Sequence, residues 1–494
     1  MNTRVTRTML VSVFFLFIAS VHAETPTTLM KWIPTDANAV AIVDVDALFR
    51  TPLAMRENLR QKMADAFVNH ELSVPPESKR VVFASQLGLS SQLESEWDLG
   101  VIEMASTPSF ALIARREGGQ LDTVAGQSAI RLAHGTTAVE LHPGVILGTS
   151  QPNRQVISRW VTAAKKADAQ QTSPYLVQAA ELISATSPLV LALDLSECVT
   201  IPAARAFLAT QEPLKNKIAE QADLAEVLAS VKGMTLTVRF TERREGTLQA
   251  DFTKPAVGLK PYAKDLLPAI LDEVGASLDD LDNWTVSVSN TSVTWTGEIA
   301  STGLRKITSL IAPGSGHRDL SPGDTSPSAA PSPETIKATT SQKYFRSVKS
   351  LIDELHKTLD KTRDNHAVWF ERYARKIDDL PIKDVDKDLL TFGGNVSNSF
   401  RYQAQAKRMA GIRTGVREAQ PNYQTYSRYG SVGPYGSYGT YSWSRTFRAE
   451  PERGQIRAEE NATATQVRIS EWKQIEDGMV QVRRVLTERY NVEF

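Results

Sequence analysis

Apolar residues follow one period up to about residue 312 and another beyond it. In the first part they come in short runs between turn residues: Val81–Leu87, Asp98–Met104, Phe110–Arg115, Ala138–His142 and Val145–Gly148, then Met234–Phe240, Thr247–Phe252, Trp284–Ser289 and Ser292–Ile299. Such runs, with short links like Glu242–Gly246 and Asn290-Thr291, predict antiparallel strands and hairpins. Longer gaps carry a period near 3.6. Phe207, Leu208, Leu214, Ile218, Leu224, Val227 and Leu228 predict a helix over Ala203–Leu228, and further helices are expected at Asn153–Ala167 and Thr302–Ile311.

The first part reads as a duplication. Ala39-Val-Ala-Ile-Val-Asp44 and Leu189-Val-Leu-Ala-Leu-Asp194 share a pattern at an offset of 150, and Pro52 and Pro202 match at the same offset. Both strands are apolar without alternation, so each is expected at the centre of a sheet covered on both faces. In the second part, Phe345, Val348, Ile352, Leu355, Leu359, Thr362, His366, Trp369, Tyr373, Lys376 and Leu380 alternate by three and four. That is a heptad seam with polar Thr362 and His366 in its middle, where polar residues set register at a cost in stability. Two more helices are expected at Asp388–Ala419 and Phe447–Tyr490, the last with Ile469, Trp472, Ile475, Met479, Val482 and Leu486 on one face. The predicted class is therefore α+β: a signal at 1–23, duplicated antiparallel-sheet-plus-helix subdomains at 24–170 and 171–312, with helices on one face of each sheet, a linker at 313–340, and a helical bundle or coiled-coil hairpin at 341–494.

Composition sharpens these boundaries. Lys+Arg and Asp+Glu both number 56, so there is no global field for nucleic acid. The charge is nevertheless divided, at −9 over residues 24–334 and +7 over 335–494. Between them, Pro313–Pro333 holds five Pro, five Ser and three Gly, a composition that cannot repay its ordering entropy and predicts an extended spacer between separable parts. At the N-terminus, Arg4 and Arg7 precede a 13-residue apolar run, Met9–Val21, and Val21-His22-Ala23 forms a cleavage site before Glu24. Thirteen helical residues span about 20 Å, short of the roughly 30 Å a bilayer core requires, so the run reads as an export signal. The single cysteine, Cys198, excludes an intramolecular disulfide, and its place just after an apolar strand predicts burial.

Candidate chemistry is sparse. No phosphate loop, nucleophile elbow or zinc-protease spacing occurs, and no catalytic, cofactor or metal constellation is assigned. His134 and His142 could meet across a turn, but a third ligand is not indicated. Asp44 and Asp46 stand at strand spacing and could share a cation; the simpler reading makes Asp46 the N-cap of the following helix, with Asp44 in a similar role. The acidic run Asp378–Asp388 lacks the glycine and final glutamate of a calcium loop. The Asn-x-Ser/Thr matches at Asn283, Asn290, Asn395 and Asn461 matter only in a host that glycosylates exported proteins.

One segment stands apart. In residues 421–445, Tyr423, Tyr426, Tyr429, Tyr435, Tyr438 and Tyr441 recur every three residues with one step missing, at Val432, and Gly430, Gly433, Gly436 and Gly439 recur every three residues without a gap. That period predicts a polyproline-type inter-helix loop. Ten Lys+Arg against three Asp+Glu between residues 390 and 457 surround it, so the tyrosines with Arg428 and Arg445 are candidate contacts for an anionic polymer; the plainer reading is a spacer without a partner.

Asn38-Ala-Val-Ala-Ile-Val-Asp-Val-Asp-Ala-Leu-Phe-Arg-Thr-Pro-Leu-Ala-Met-Arg56 resembles the opening of uncharacterised exported proteins of planctomycete-type bacteria. Lys343–Val348, Tyr373–Asp378, Arg408–Arg413 and Trp472–Glu476 extend the resemblance over most of the mature chain. It implies export and assigns no activity. The expected function is a non-enzymatic envelope or periplasmic scaffold that binds an envelope protein or an anionic surface polymer and can self-associate through its helices. The alternative is an enzyme or ligand carrier with a pocket between the two α+β subdomains.

The export reading has a direct check. Intact-mass measurement of the exported protein should give a chain beginning at or near Glu24, recovered in the aqueous fraction. An unprocessed, membrane-bound N-terminus would overturn it.

Overall fold

The computed structural model describes residues 26–494 except 69–73, 89–92, 118, 133–134, 152, 167–171, 212–213, 215–216, 310, 312–332, 357–365, 381, 383, 420–421, 433–438 and 450–452. The export signal and residues 313–332 of the Pro/Ser spacer therefore lie outside the described residues, as do Thr362, Tyr435, Tyr438 and His134. The first half comprises α1 (Pro26–Leu29), β1 (Ala39–Asp44), α2 (Val45–Phe49), α3 (Pro52–Arg56), α4 (Leu59–Val68), β2 (Ser78–Gly88), β3 (Glu94–Met104), α5 (Phe110–Glu117), β4 (Gln120–Val124), β5 (Gln127–Arg131), β6 (Thr137–His142), β7 (Val145–Thr149) and α6 (Arg154–Ala164). The second half comprises α7 (Pro174–Ala180), β8 (Leu189–Asp194), α8 (Ile201–Thr210), α9 (Ile218–Leu228), β9 (Val231–Phe240), β10 (Arg244–Phe252), α10 (Ala263–Glu273), β11 (Thr285–Val288), β12 (Ser292–Glu298) and α11 (Ser301–Ser309). The fold is α+β, with a large antiparallel sheet and a C-terminal helical region.

The two halves do not form separate sheets. Twelve strands make one sheet in the order β11-β12-β10-β9-β8-β1-β2-β3-β7-β6-β5-β4. Outward from the middle, the second half runs β8-β9-β10-β12-β11 and the first runs β1-β2-β3-β7-β6, which is the same order of equivalent strands. They join where β1 pairs antiparallel with β8, with Ala41 opposite Leu191, Ala39 opposite Leu193 and Val43 opposite Leu189. Positions 150 apart thus exchange roles about the Ala41–Leu191 pair. The flanking bonds follow suit: Asp44 N–H donates to Pro188 O at 2.9 Å and Asp194 N–H to Asn38 O at 2.8 Å.

Both central strands are buried on both faces, as their unbroken apolar runs predict. One face carries Ala39, Ala41, Leu189 and Leu191 in a core with Leu208, Leu224 and Leu266 from α8–α10. The other carries Val40, Ile42, Val190 and Ala192 with Ile157 and Val161 of α6 and Leu176 of α7. Helices therefore cover both faces, not the single face expected, because one face alone would leave half of these side chains in water. The symmetry stops at the closing helices: α6 packs on the second face, whereas Leu304 and Ile307 of α11 pack on the first.

Three local readings are corrected. Phe110–Arg115 lies in helix α5, because Phe110, Ile113 and Ala114 stand at i, i+3 and i+4 and together cover Ile130 and Leu132. Ala203–Leu228 is two helices, α8 and α9, with Pro213 in the sequence between them. Cys198 is exposed, because the chain leaves the sheet at Asp194 and turns there, Cys198 N–H donating to Leu195 O at 3.1 Å.

The helical region consists of α12 (Pro333–His356), α13 (Ala367–Asp378), α14 (Lys387–Ala419) and α15 (Arg453–Tyr490). Helix α12 begins inside the span expected for the spacer. The predicted Phe345–Leu380 seam is split between α12 and α13: Phe345, Val348, Ile352 and Leu355 are buried on the first, Trp369 and Tyr373 on the second. His366 is buried but sits in the non-helical N-cap position of α13, at φ −110° and ψ 22°, so it is not a seam position of a continuous helix. The intervening sequence, Lys357–Asn365, holds Leu359 as its one large apolar residue and lies outside the described residues. Helices α14 and α15 lie antiparallel, with Gly478 against Phe392, Ser399 bonded to Glu471 at 2.6 Å and Phe400 beside Trp472. Ile469 points to solvent at 63% exposure, so the seam on α15 starts at Trp472.

The helical region is docked on the sheet. The fully buried Trp369 donates its indole N–H to Ser277 O at 3.0 Å, Val368 N–H donates to Gly275 O at 3.1 Å, and Arg372 donates to Leu93 O at 2.6 Å. Cleavage in the spacer should therefore leave two fragments that stay together, not the freely separating parts that the spacer composition suggests.

Asp386 ties the two ends of the long helices. Its buried carboxylate accepts from Arg489 at 2.7 and 2.8 Å, from the Tyr490 hydroxyl at 2.6 Å and from Asp388 N–H at 2.9 Å. Burial alone would raise its pKa; the Tyr490 and Arg489 bonds outweigh that and hold it down at about 2. A depressed carboxyl stabilises the fold above its unfolded value, and that contribution is lost as pH falls from about 4 to about 2. Asp386→Asn should lower stability by about 2 kcal/mol at pH 7. Urea melts of both proteins should converge as the pH is taken down through that window.

Candidate functional site

The Tyr/Gly segment is a β-hairpin. Residues Asn422–Val432 (β13) and Gly439–Ala449 (β14) pair antiparallel in a sheet of their own. This corrects the expected polyproline-type loop and moves the start of the last helix from Phe447 to Arg453. Extended polyproline backbone satisfies none of its own hydrogen-bonding groups, whereas the Tyr-, Thr- and Trp-rich arms pair readily as strands. The register sets Tyr423 opposite Arg448, Tyr426 opposite Arg445, Arg428 opposite Trp443, Tyr429 opposite Ser442 and Gly430 opposite Tyr441. Tyrosine and arginine that are distant in sequence thereby occupy facing positions, with Cα atoms about 5 Å apart.

The hairpin is carried at the far end of the α14–α15 pair. Among the described side chains, buried apolar contacts to the rest of the bundle run from Leu389 to Ala404 on α14 and from Trp472 to Leu486 on α15. The helical backbone continues beyond Ala404 to Ala419, a further rise of about 22 Å at 1.5 Å per residue.

The two halves are joined by continuous β1–β8 pairing. A cavity of about 160 Å³ lies to one side, between the second half and the docked helices. Its walls include Leu193 of β8, Leu236 of β9, Leu248 of β10, Leu271 of α10 and Trp369 of α13. Trp284, also on its wall, lies flat over Gly246 and Gly297, where any Cβ would collide with the ring. Sequence periodicity marks these residues as core and cannot mark them as a cavity, because a void depends on how three separate elements meet.

Beside the docking surface lies a charged cluster. Asp98 of β3 accepts from Ser85 at 2.6 Å and Ser95 at 2.8 Å; burial raises its pKa against the pull of those bonds, Arg372 and Arg375. Asp379, at the end of α13, is pushed up to about 6, chiefly by burial and then by the Asp378 and Asp98 carboxylates, with Arg375 and Arg401 opposing. Glu354 of α12 pairs with Arg305 of α11 at 2.9 Å. Burial lowers the pKa of Lys376, which sits over the Tyr373 ring, while Glu354 acts in the opposite direction.

The Asp44/Asp46 pair takes ordinary roles. Asp44, not Asp46, caps α2, accepting from Ala47 N–H at 2.8 Å; Asp46 stands in the first turn. The Asp44 carboxylate also lies 3.8 Å from Arg80, which pairs with Glu103 at 2.6 Å. Among the described residues, no group of three or more His, Cys, Asp or Glu is placed to hold a metal ion, and no helix is long and apolar enough to cross a membrane. Compared with protein-family models, curated proteins and solved structures, the chain matches none.

The docking cluster has a pH signature. A carboxyl whose folded pKa exceeds its unfolded value costs stability when ionised, and the cost is relieved as pH falls from about 6 towards 4. Asp379→Asn should therefore raise stability at pH 7 by about 1–2 kcal/mol, allowing for solvent screening. The difference should vanish near pH 4; thermal melts at the two pH values measure it.

Proposed function

We propose that the chain is an exported scaffold that presents the β13–β14 hairpin, on the α14–α15 arm, to an anionic surface polymer. The observation that carries this reading is the pairing of Tyr426 with Arg445 and of Arg428 with Trp443 at the end of two long antiparallel helices. A spacer needs neither the helices nor the paired strands. Facing aromatic and guanidinium positions combine stacking surface with positive charge, and the local excess of basic residues adds long-range attraction. The sheet supplies the rigid base, because docking through Trp369 and Arg372 fixes α13, which packs against α14.

Titration of the full chain with polygalacturonate tests the reading. Binding should weaken roughly tenfold or more between about 50 and about 200 mM salt, as charge-driven association does. Arg428→Gln combined with Arg445→Gln should reduce affinity roughly tenfold without changing the helical circular dichroism. Equal binding to uncharged dextran, or an unchanged double variant, would sink it.

A further inference from the structure

We infer that the cavity between β8–β10, α10 and α13 is a binding site for one uncharged hydrocarbon group, the size of an aromatic ring or a six- to eight-carbon alkyl chain. Size and chemistry argue together. Its volume of about 160 Å³ is close to that of dry protein cavities that take up benzene. The walls are aliphatic and aromatic and offer water almost no polar partner, so an apolar guest gains packing contacts there that water does not supply. Among the described residues, Asp280 is the one carboxylate on the wall, and it is already engaged, accepting Ala300 N–H at 2.8 Å and packed against Gly303. It offers no attraction to an anionic guest and selects for a neutral one.

A second observation sets the cavity apart from a packing gap. Leu93, on its wall, is held at φ 61°, in the left-handed region that a leucine avoids. Arg372 of α13 holds that residue in place through its 2.6 Å bond to the Leu93 carbonyl. The first half thus contributes a strained backbone position, the second half the strand and helix walls, and the helical region Trp369. Local strain of this kind gathers at ligand sites, where the surrounding structure maintains it. Because all three parts line the cavity, a guest also ties the helical region to the sheet.

The full chain is titrated by calorimetry with toluene and with octan-1-ol, and benzoate serves as the charged control. The inference expects saturable one-to-one binding of at least one neutral probe, a rise in Tm of several degrees at saturation, and binding of benzoate at least tenfold weaker. Toluene alone identifies an aromatic guest; octan-1-ol, alone or with toluene, identifies an alkyl chain. Ala276→Leu and Leu248→Phe fill the space from two different walls, and each folded variant should lose probe binding at least tenfold. No saturable binding to the natural chain overturns the inference, whether or not either variant folds. So does undiminished binding in a folded variant.

Discussion

The pairing of β1 with β8 is the constraint from which the rest of the architecture follows. Each half alone would end in an apolar edge strand with its N–H and C=O groups unpaired, a template for aggregation. Antiparallel pairing centred on Ala41 and Leu191 satisfies those groups and turns two edges into the middle of a twelve-stranded sheet. Its consequence is a wide surface with apolar side chains on both faces. Helices from both halves are drawn over it: α8, α9 and α10 on one side, α6 and α7 on the other.

The helical region completes this coverage. The segment after α10, Gly275–Leu278, meets Val368 and Trp369, and the indole that bonds Ser277 O is among the largest fully buried side chains. Truncating such a tryptophan costs about 3–5 kcal/mol, more than the whole contribution of a typical surface ion pair. Docking is therefore set by packing, and the charges around it tune it. Asp98 and Asp379 pay in desolvation for a place beside Arg372, Arg375 and Arg401, which explains why burial outweighs their favourable partners.

The same logic separates the two ends of the long helices. At one end of the pair, Asp386, Arg489 and Tyr490 lock α14 to α15 with charge-assisted bonds, and Phe392, Phe400 and Trp472 are buried along it. Farther out the pair ends in the β13–β14 hairpin. A rigid base and an outlying aromatic–basic hairpin are the arrangement the proposed surface contact requires. The cavity lies where the helical region and the sheet meet, and no residue of the hairpin lines it, so the two sites place separate demands on the molecule.

Much of the fold was legible in the chain. The apolar runs at Ala39–Asp44 and Leu189–Asp194 marked central strands, the 150-residue offset marked equivalent positions, and the spacing of Trp472, Ile475, Val482 and Leu486 marked a buried helical face. These features are local: period and run length are set by which side chains must leave water. What remained hidden was relational. Phe110–Arg115 has the apolar content of a strand, and Ile130 and Leu132, its packing partners, make a helix the better cover. The heptad spacing runs on to His366, yet His366 stands in a non-helical N-cap position, which spacing alone does not reveal. The tyrosine repeat suggested an extended loop until the facing arm supplied hydrogen-bond partners. Of the candidate sites, the aromatic–basic composition was visible in advance; the facing of Tyr426 and Arg445 and the void beside Trp369 were not. Sequence determined which residues had to be buried, and tertiary structure alone decided against what, because a partner distant along the chain leaves no periodic trace.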